Sequence, residues 1–188
     1  QTSPEREGIA FLRTKESWLR THLGQLAPVR TVSVGSSLMV RGQMMPIVLG
    51  SAKRVCLGSD AIEVPEARTA APKIKAHLKQ MARDALATAS DRYAARLNKR
   101  YSRLTIRDTR SRWGSCSSAG ALMYSWRLVM APPAVLEYVA AHEVAHLVEM
   151  NHSCAFWDVV ESIFPDYETQ RRWLRTHGDT LHRVQFDN

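Results

Sequence analysis

The segment from Pro132 to Met150 constrains this chain more than any other. Two adjacent prolines open it, and Leu136, Val139, Ala140, Val144 and Leu147 make it mostly apolar. Proline pre-sets the first helical turn, where no hydrogen-bonded N–H is lost, so a helix is predicted from Pro133 through about Met150. A helix this apolar must be packed on most of its faces. It nevertheless carries His142, Glu143 and His146, and burying such groups is costly unless they are partnered.

Four residues along an α-helix make one turn plus about 40°, so His142 and His146 leave the same face about 6 Å apart along the axis. That spacing lets both imidazoles hold one metal ion, while Glu143, about 100° round the helix, is placed to reach a water on the metal rather than the metal itself. Catalytic zinc takes three protein ligands and keeps one position open, so a third is needed. His152 lies six residues past His146, and a continuing helix would point it about 240° away. The helix is therefore expected to end at Asn151, which tolerates the left-handed conformation and swings His152 back, with Ser153 capping the next helix. A carboxylate from that next helix, Glu161, Asp166 or Glu168, is the competing third ligand. Cys154 is read as a small buried residue rather than a ligand, and the alternative role for His152 is that of a cationic helix cap.

The rest of the sequence supplies surroundings for this helix. Phe11 to Leu23 reads as a short amphipathic helix, and Thr31 to Glu66 as short Val-, Ile- and Met-rich strands separated by glycine-containing turns, a small antiparallel β lobe. A long helix is predicted from about Ile74 to Leu97, its apolar face running through Ile74, Leu78, Met81, Ala85, Ala89, Tyr93 and Leu97. Arg103 to Asp108 and Ala121 to Arg127 read as the strands of a hairpin joined by an Arg- and Trp-bearing connection. Helices over Cys154–Phe164 and Tyr167–His177 complete the chain, the second stopped by Gly178. The fold class is α+β, divided into an N-terminal helix and β lobe over 1–67 and a core over 68–188.

Composition excludes several classes. With 45% hydrophobic and 23% charged residues the chain is an ordinary globular protein rather than a disordered or collagenous one. No apolar run approaches the 18 or so residues of a membrane span, since Leu128 to Ala141 is interrupted by Pro132, Pro133 and Glu137, so no membrane partner is expected. Cys56, Cys116 and Cys154 are odd in number and lack C-x-x-C spacing, which points to a reducing cytoplasm and away from disulfides. There is no signal-peptide pattern, and a chain that begins at Gln1 is expected to have lost its natural start. The net charge of +8 is concentrated in residues 68–112, with 13 basic against 3 acidic residues. Such a block attracts nucleic acid or acidic protein segments and is also what a solvated helix face looks like.

Several separated motifs then come together. Ser111-Arg112-Trp113-Gly114-Ser115-Cys116, Ser125-Trp126-Arg127-Leu128, Ala131-Pro132, Tyr138-Val139, His142-Glu143-x-x-His146-Leu147, Asn151-His152-Ser153 and Phe156-Trp157 resemble the YgjP-like zinc metallopeptidases. The resemblance runs from about Phe11 to Val184. It is most specific over Arg107 to Trp157 and looser in the β lobe. It implies a zincin-like core of a long helix, a short antiparallel sheet and the active helix. By the same resemblance, one zinc ion per chain is held by His142, His146 and His152, with Glu143 as the catalytic base. Val144 stands where the family usually has leucine. The SprT-like proteases associated with DNA are a more distant likeness, sharing the helix, hairpin and active-helix plan.

The activity so implied is hydrolysis of peptide or unfolded-protein substrates by metal-activated water, with Glu143 taking the proton and passing it to the leaving amine. The strand Ala121–Arg127 is the expected edge for an extended substrate. Arg107, Arg112 and Trp113 are candidates to line that cleft, an arginine clamping a carboxylate or the oxyanion; an equal reading has Arg112 and Trp113 holding the connection together. Tyr124 and Tyr167 are further oxyanion candidates. Cys116 has no activating base nearby in sequence, and His22, His77, His177 and His182 read as surface residues. Two alternatives remain: a DNA-associated protease using residues 68–112, or a nucleic-acid-binding module with a structural metal, for which only Tyr93 and Tyr101 offer aromatic platforms. Contact with nucleic acid is expected to be weak and nonspecific. Oligomeric state is not legible in the sequence.

Overall fold

The computed structural model describes residues 8–9 and 29–186; the helix expected over Phe11 to Leu23 lies outside them. Strand β1 (Arg30–Thr31) pairs in parallel with β9 (Val184–Gln185), so the first expected lobe strand instead ties the two ends of the described chain together. The lobe is β2 (Ser37–Val40), β3 (Gln43–Leu49), β4 (Cys56–Leu57) and β5 (Ile62–Val64), in the order β2-β3-β5-β4. It is a mixed sheet and not the expected antiparallel one, because β3 and β5 run parallel, Ile47 opposite Ile62.

The β2–β3 hairpin braces the start of the apolar helix. Its tip, Arg41–Gly42, has both residues at positive φ (52° and 81°), as a two-residue hairpin turn whose twist matches the strands requires. The Arg41 and Gly42 amides donate to the carbonyls of Val129 and Met130, each at 2.9 Å. A Cβ on Gly42 would sit 2.9 Å from Pro132 Cγ. Glycine there lets the lobe press on the turn that launches the helix.

Helix α1 spans Ala70–Arg96, a turn longer at its start than expected. Pro72 falls within the first turn, where the helix has no N–H bond to lose. Its buried face runs through Ile74, Leu78, Ala82, Leu86, Ala89 and Tyr93, and Asn98 at φ 51° turns the chain beyond its end. Part of the basic block is structural. Arg92 pairs with Glu137, and Arg96 donates to the carbonyls of Ile163 (2.7 Å) and Ser162 (3.1 Å).

The second sheet comprises β6 (Arg103–Arg107), β7 (Gly114–Cys116) and β8 (Ala121–Ser125) in the order β6-β8-β7. The expected β6–β8 hairpin is absent: these strands are parallel, Ile106 opposite Tyr124, and β7 from the connection makes the antiparallel pair with β8. The hairpin turn lies at Ser117–Gly120, with Gly120 at φ 71°. After β8 the chain passes through a 3-10 turn (Trp126–Met130), which replaces the end of the expected strand. Helices α2 (Pro133–Ala145), α3 (Cys154–Ile163) and α4 (Tyr167–His182) complete the core. α2 packs against α1, α3, α4 and β7, and one contiguous apolar core joins the lobe to the helices from Val32 to Phe186.

Two residues read differently in three dimensions. Gly178 does not stop α4 but notches it, since a Cβ would lie 3.0 Å from the Trp113 ring. Arg127 is buried and donates to Asp108 (2.6 Å) and to the carbonyls of Leu181 (2.8 Å) and Val184 (3.0 Å), locking the end of α4 to the 3-10 turn.

Candidate metal centre

The last turn of α2 and the residue just past it carry His142, Glu143 and His146. α2 ends at Ala145, earlier than expected, and the amides of Val148 and Glu149 both turn back to the Ala145 carbonyl (2.9 and 3.0 Å). This early tightening returns the chain; Asn151 is not among the described residues at positive φ, so it does not play the left-handed role expected of it. Ser153 caps α3 as expected, its hydroxyl accepting from the Phe156 amide at 3.4 Å. His152, just before that cap, faces α2.

One ligand atom from each of His142, His146 and His152 lies within 4.8 Å of the others. The Nε2 atoms of His142 and His152 are 3.0 Å apart. His146 Nδ1 lies 3.0 Å from the Glu149 carbonyl, which can only accept, so Nδ1 carries the proton and Nε2 keeps its lone pair toward the cluster. Burial pushes His142 down to about 3 and lowers His146 too, with neighbouring histidines adding to the effect. Neutral imidazoles with free lone pairs are what a borderline metal ion needs, so the donor set fits one. Glu161, Asp166, Glu168 and Cys154 are exposed and outside this group, the last against the expectation that it is buried.

Aromatic rings hold the histidines in place, a role that the sequence pattern does not assign to them. Phe156, fully buried, stacks on His146 at 4.5 Å and meets His142 and His152 edge-on at 4.9 and 4.8 Å. Trp157 flanks His142 and His152 at 5.7 and 5.9 Å, and Tyr138 stands 5.9 Å from His142. The sequence signals for Phe156 and Trp157 are their place among the motifs quoted above and their position, two aromatics in the first turn of a helix capped next to a candidate ligand.

Glu143 is only 6% exposed. A Cβ on Gly114 would lie 2.5 Å from Glu143 Oε1, so the carboxylate rests against the bare backbone of β7. Burial pushes this carboxyl up to about 8, and the charge of Arg112 opposes the rise. Gly114 is a second contributor that sequence reasoning passed over. β8 is the central strand of its sheet, so it cannot be the substrate edge; the outer edge beside Glu143 belongs to β7.

The remaining candidates divide. Arg107 and Arg112 are exposed and line one groove. Tyr167 is half-buried and stacks on Trp157 at 5.1 Å. Tyr124 has no surface to offer a substrate, because it is fully buried with its hydroxyl 3.0 Å from Ser90 Oγ. Trp113 is consumed by packing, stacked on His182 at 4.6 Å and pressed on Gly178, which also removes His182 from the expected surface set. His177 is exposed as expected, His77 is half-buried, and His22 lies outside the described residues. Cys116 is half-buried, and burial with the Glu143 charge pushes its thiol up to about 11, the opposite of an activated nucleophile.

The family model for the YgjP-like metallopeptidase domain matches residues 1–177. The chain belongs to the YgjP-like family. It is accordingly a metallopeptidase, and its histidine triad is placed to bind a metal ion. Among solved structures, the metallopeptidase zymogen abylysin of Pyrococcus abyssi is similar, at 21% identity and a TM-score of 0.44, over 53% of this chain and 98% of that one. No curated protein matches the sequence. In this YgjP-like chain Val144 is fully buried in the core, on a different face of α2 from the ligands. No helix among the described residues is long and apolar enough to cross a membrane.

Proposed function

We propose that the chain hydrolyses peptide bonds with one zinc ion held by His142, His146 and His152, and with Glu143 as general base. The observation that carries this reading is the pairing of three convergent imidazoles with a buried carboxylate that stands outside their ligand set. Bound zinc supplies Lewis acidity, activating water and polarising a carbonyl. Glu143 accepts the water proton on a carboxylate oxygen and returns it to the amide nitrogen as the C–N bond breaks and the new C–O bond stands. The outer edge of β7 aligns an extended substrate by main-chain hydrogen bonds, and Arg112 faces charge developing near Glu143. Residues 68–188 form the peptidase core, and the β2–β3 hairpin of the N-terminal part buttresses the start of α2.

Purified protein is expected to contain one zinc per chain. Treatment with a chelator should abolish cleavage of an unfolded protein, and zinc should restore it. Cleavage that persists in metal-free protein overturns the reading.

Gly114→Ala tests the seat of the base. The added methyl forces the Glu143 side chain aside, and a displacement of about 1 Å at a catalytic group costs about 100-fold in rate. kcat is expected to fall by about that factor with zinc content unchanged. An alanine variant of normal kcat shows that β7 does not position the carboxylate.

A further inference from the structure

Strand β6 alternates so that Leu104 and Ile106 join the core while Arg103, Thr105 and Arg107 share its other face. Across the sheet, Ala121 lies opposite Arg103, Met123 opposite Thr105, and Ser115 opposite Met123. The small side chains of Thr105, Ser115 and Ala121, with Met123 among them, leave a groove of about 420 Å³ beside Arg103 and Arg107, which Arg112 also lines. Among the described residues, no carboxylate and no aromatic ring lines it.

Among the described residues, the fold does not use this charge. Arg92, Arg96 and Arg127 are engaged in bonds that hold helices together, whereas the guanidinium groups of Arg103 and Arg107 have no hydrogen bond or ion pair among the described residues. The groove reaches the site through β7, since Ser115 and Cys116 line it and the adjoining Gly114 seats Glu143. We propose that this face of the β6-β8-β7 sheet is an exosite for an acidic stretch of the polypeptide substrate, flanking the bond to be cut.

Charge complementarity selects a polyanion, since an arginine fork matches a carboxylate with two parallel hydrogen bonds. Two features select a polypeptide over single-stranded nucleic acid. The outer edge of β6 is unpaired among the described residues, and its main-chain groups can be satisfied by an added strand. Single-stranded nucleic acid would need aromatic platforms for its bases, which the groove lacks among the described residues. The inference rests on the peptidase reading for its biological meaning but not for its test.

The test uses the full zinc-loaded chain with Glu143→Gln to prevent turnover, and two fluorescent peptides that differ only in a tetraglutamate tract replaced by glutamines. Anisotropy is expected to show the glutamate peptide binding at least about tenfold more tightly at low salt, the difference shrinking as salt screens it. R103Q/R107Q should bring the two peptides to equal affinity, while R103K/R107K keeps part of the preference; if the double glutamine variant unfolds, R103Q and R107Q singly must each lose part of it. Equal binding of the two peptides by the parent chain overturns the exosite. A single-stranded oligonucleotide of matched charge that binds more tightly and displaces the glutamate peptide overturns the assignment to polypeptide. A binding preference that survives although the wild-type chain cleaves neither peptide leaves the exosite standing and counts against the peptidase reading alone.

Discussion

Replacing His152 by alanine is expected to strip zinc from the chain without unfolding it. His152 is exposed, in the turn between α2 and α3, and its ring completes the triad, lies against the face of Trp157 and meets the buried Phe156 only edge-on. Removal therefore creates no cavity in the packed interior, but it leaves two protein nitrogens where three converged. Loss of even an outer-shell partner weakens metal sites by about 10–100-fold, and loss of a direct donor should exceed the upper end of that range. Competition with a chromophoric chelator measures it. Because bound metal stabilises the folded state by mass action, the variant should melt where chelator-treated wild type melts. Glu161→Ala and Asp166→Ala should keep their zinc, since both carboxylates are exposed and outside the cluster. If either strips the metal and His152→Ala does not, a two-histidine, one-carboxylate site replaces the proposed one.

The sequence carried the helices further than the sheets, for a physical reason. A period of 3.6 over a long apolar face identifies a helix almost by itself, and α1 lies where that pattern puts it, while two prolines at the head of an apolar run mark the start of α2. A period of two says which strand residues are buried but not which strand is the neighbour or which way it runs. β6 and β8 therefore looked like a hairpin, and the short strand Gly114–Cys116 was hidden in a polar, glycine- and serine-rich connection. Helix ends failed for a related reason. Leu147, Val148 and Met150 continue the apolar texture past the real end of α2, and Gly178 looks like a stop when the contact with Trp113 is what requires it.

The site was legible to the extent that its chemistry is local. His142, Glu143 and His146 are linked by spacing on one helix, and His152 by the need for a third donor together with a serine cap just beyond it. Groups brought in from afar were not legible: Gly114 matters only because β7 lies against α2, and Phe156 only because α3 folds back beneath the histidines. Tyr124 shows the converse. A hydroxyl near the site in sequence looks available for catalysis until the sheet direction turns it inward onto Ser90.

Glu143→Gln should separate metal binding from hydrolysis. Glutamine keeps the length and polarity of the side chain, so it fits the space against Gly114, and Glu143 is not among the grouped metal-binding residues. Zinc content and melting temperature should stay close to those of wild type. Basicity is what disappears, because an amide oxygen cannot hold a proton and return it. Loss of a general base costs about 10²–10⁴-fold. The loss here should reach the upper end, because one carboxylate is asked both to take the water proton and to deliver it to the departing nitrogen. kcat/KM on an internally quenched peptide measures the effect, and zinc analysis of the same sample shows whether the site is still filled. A glutamine variant with full zinc and near-wild-type turnover would remove Glu143 from the mechanism, and the base would then have to be sought among the groups facing β7, with Arg112 unable to serve because its guanidinium stays protonated.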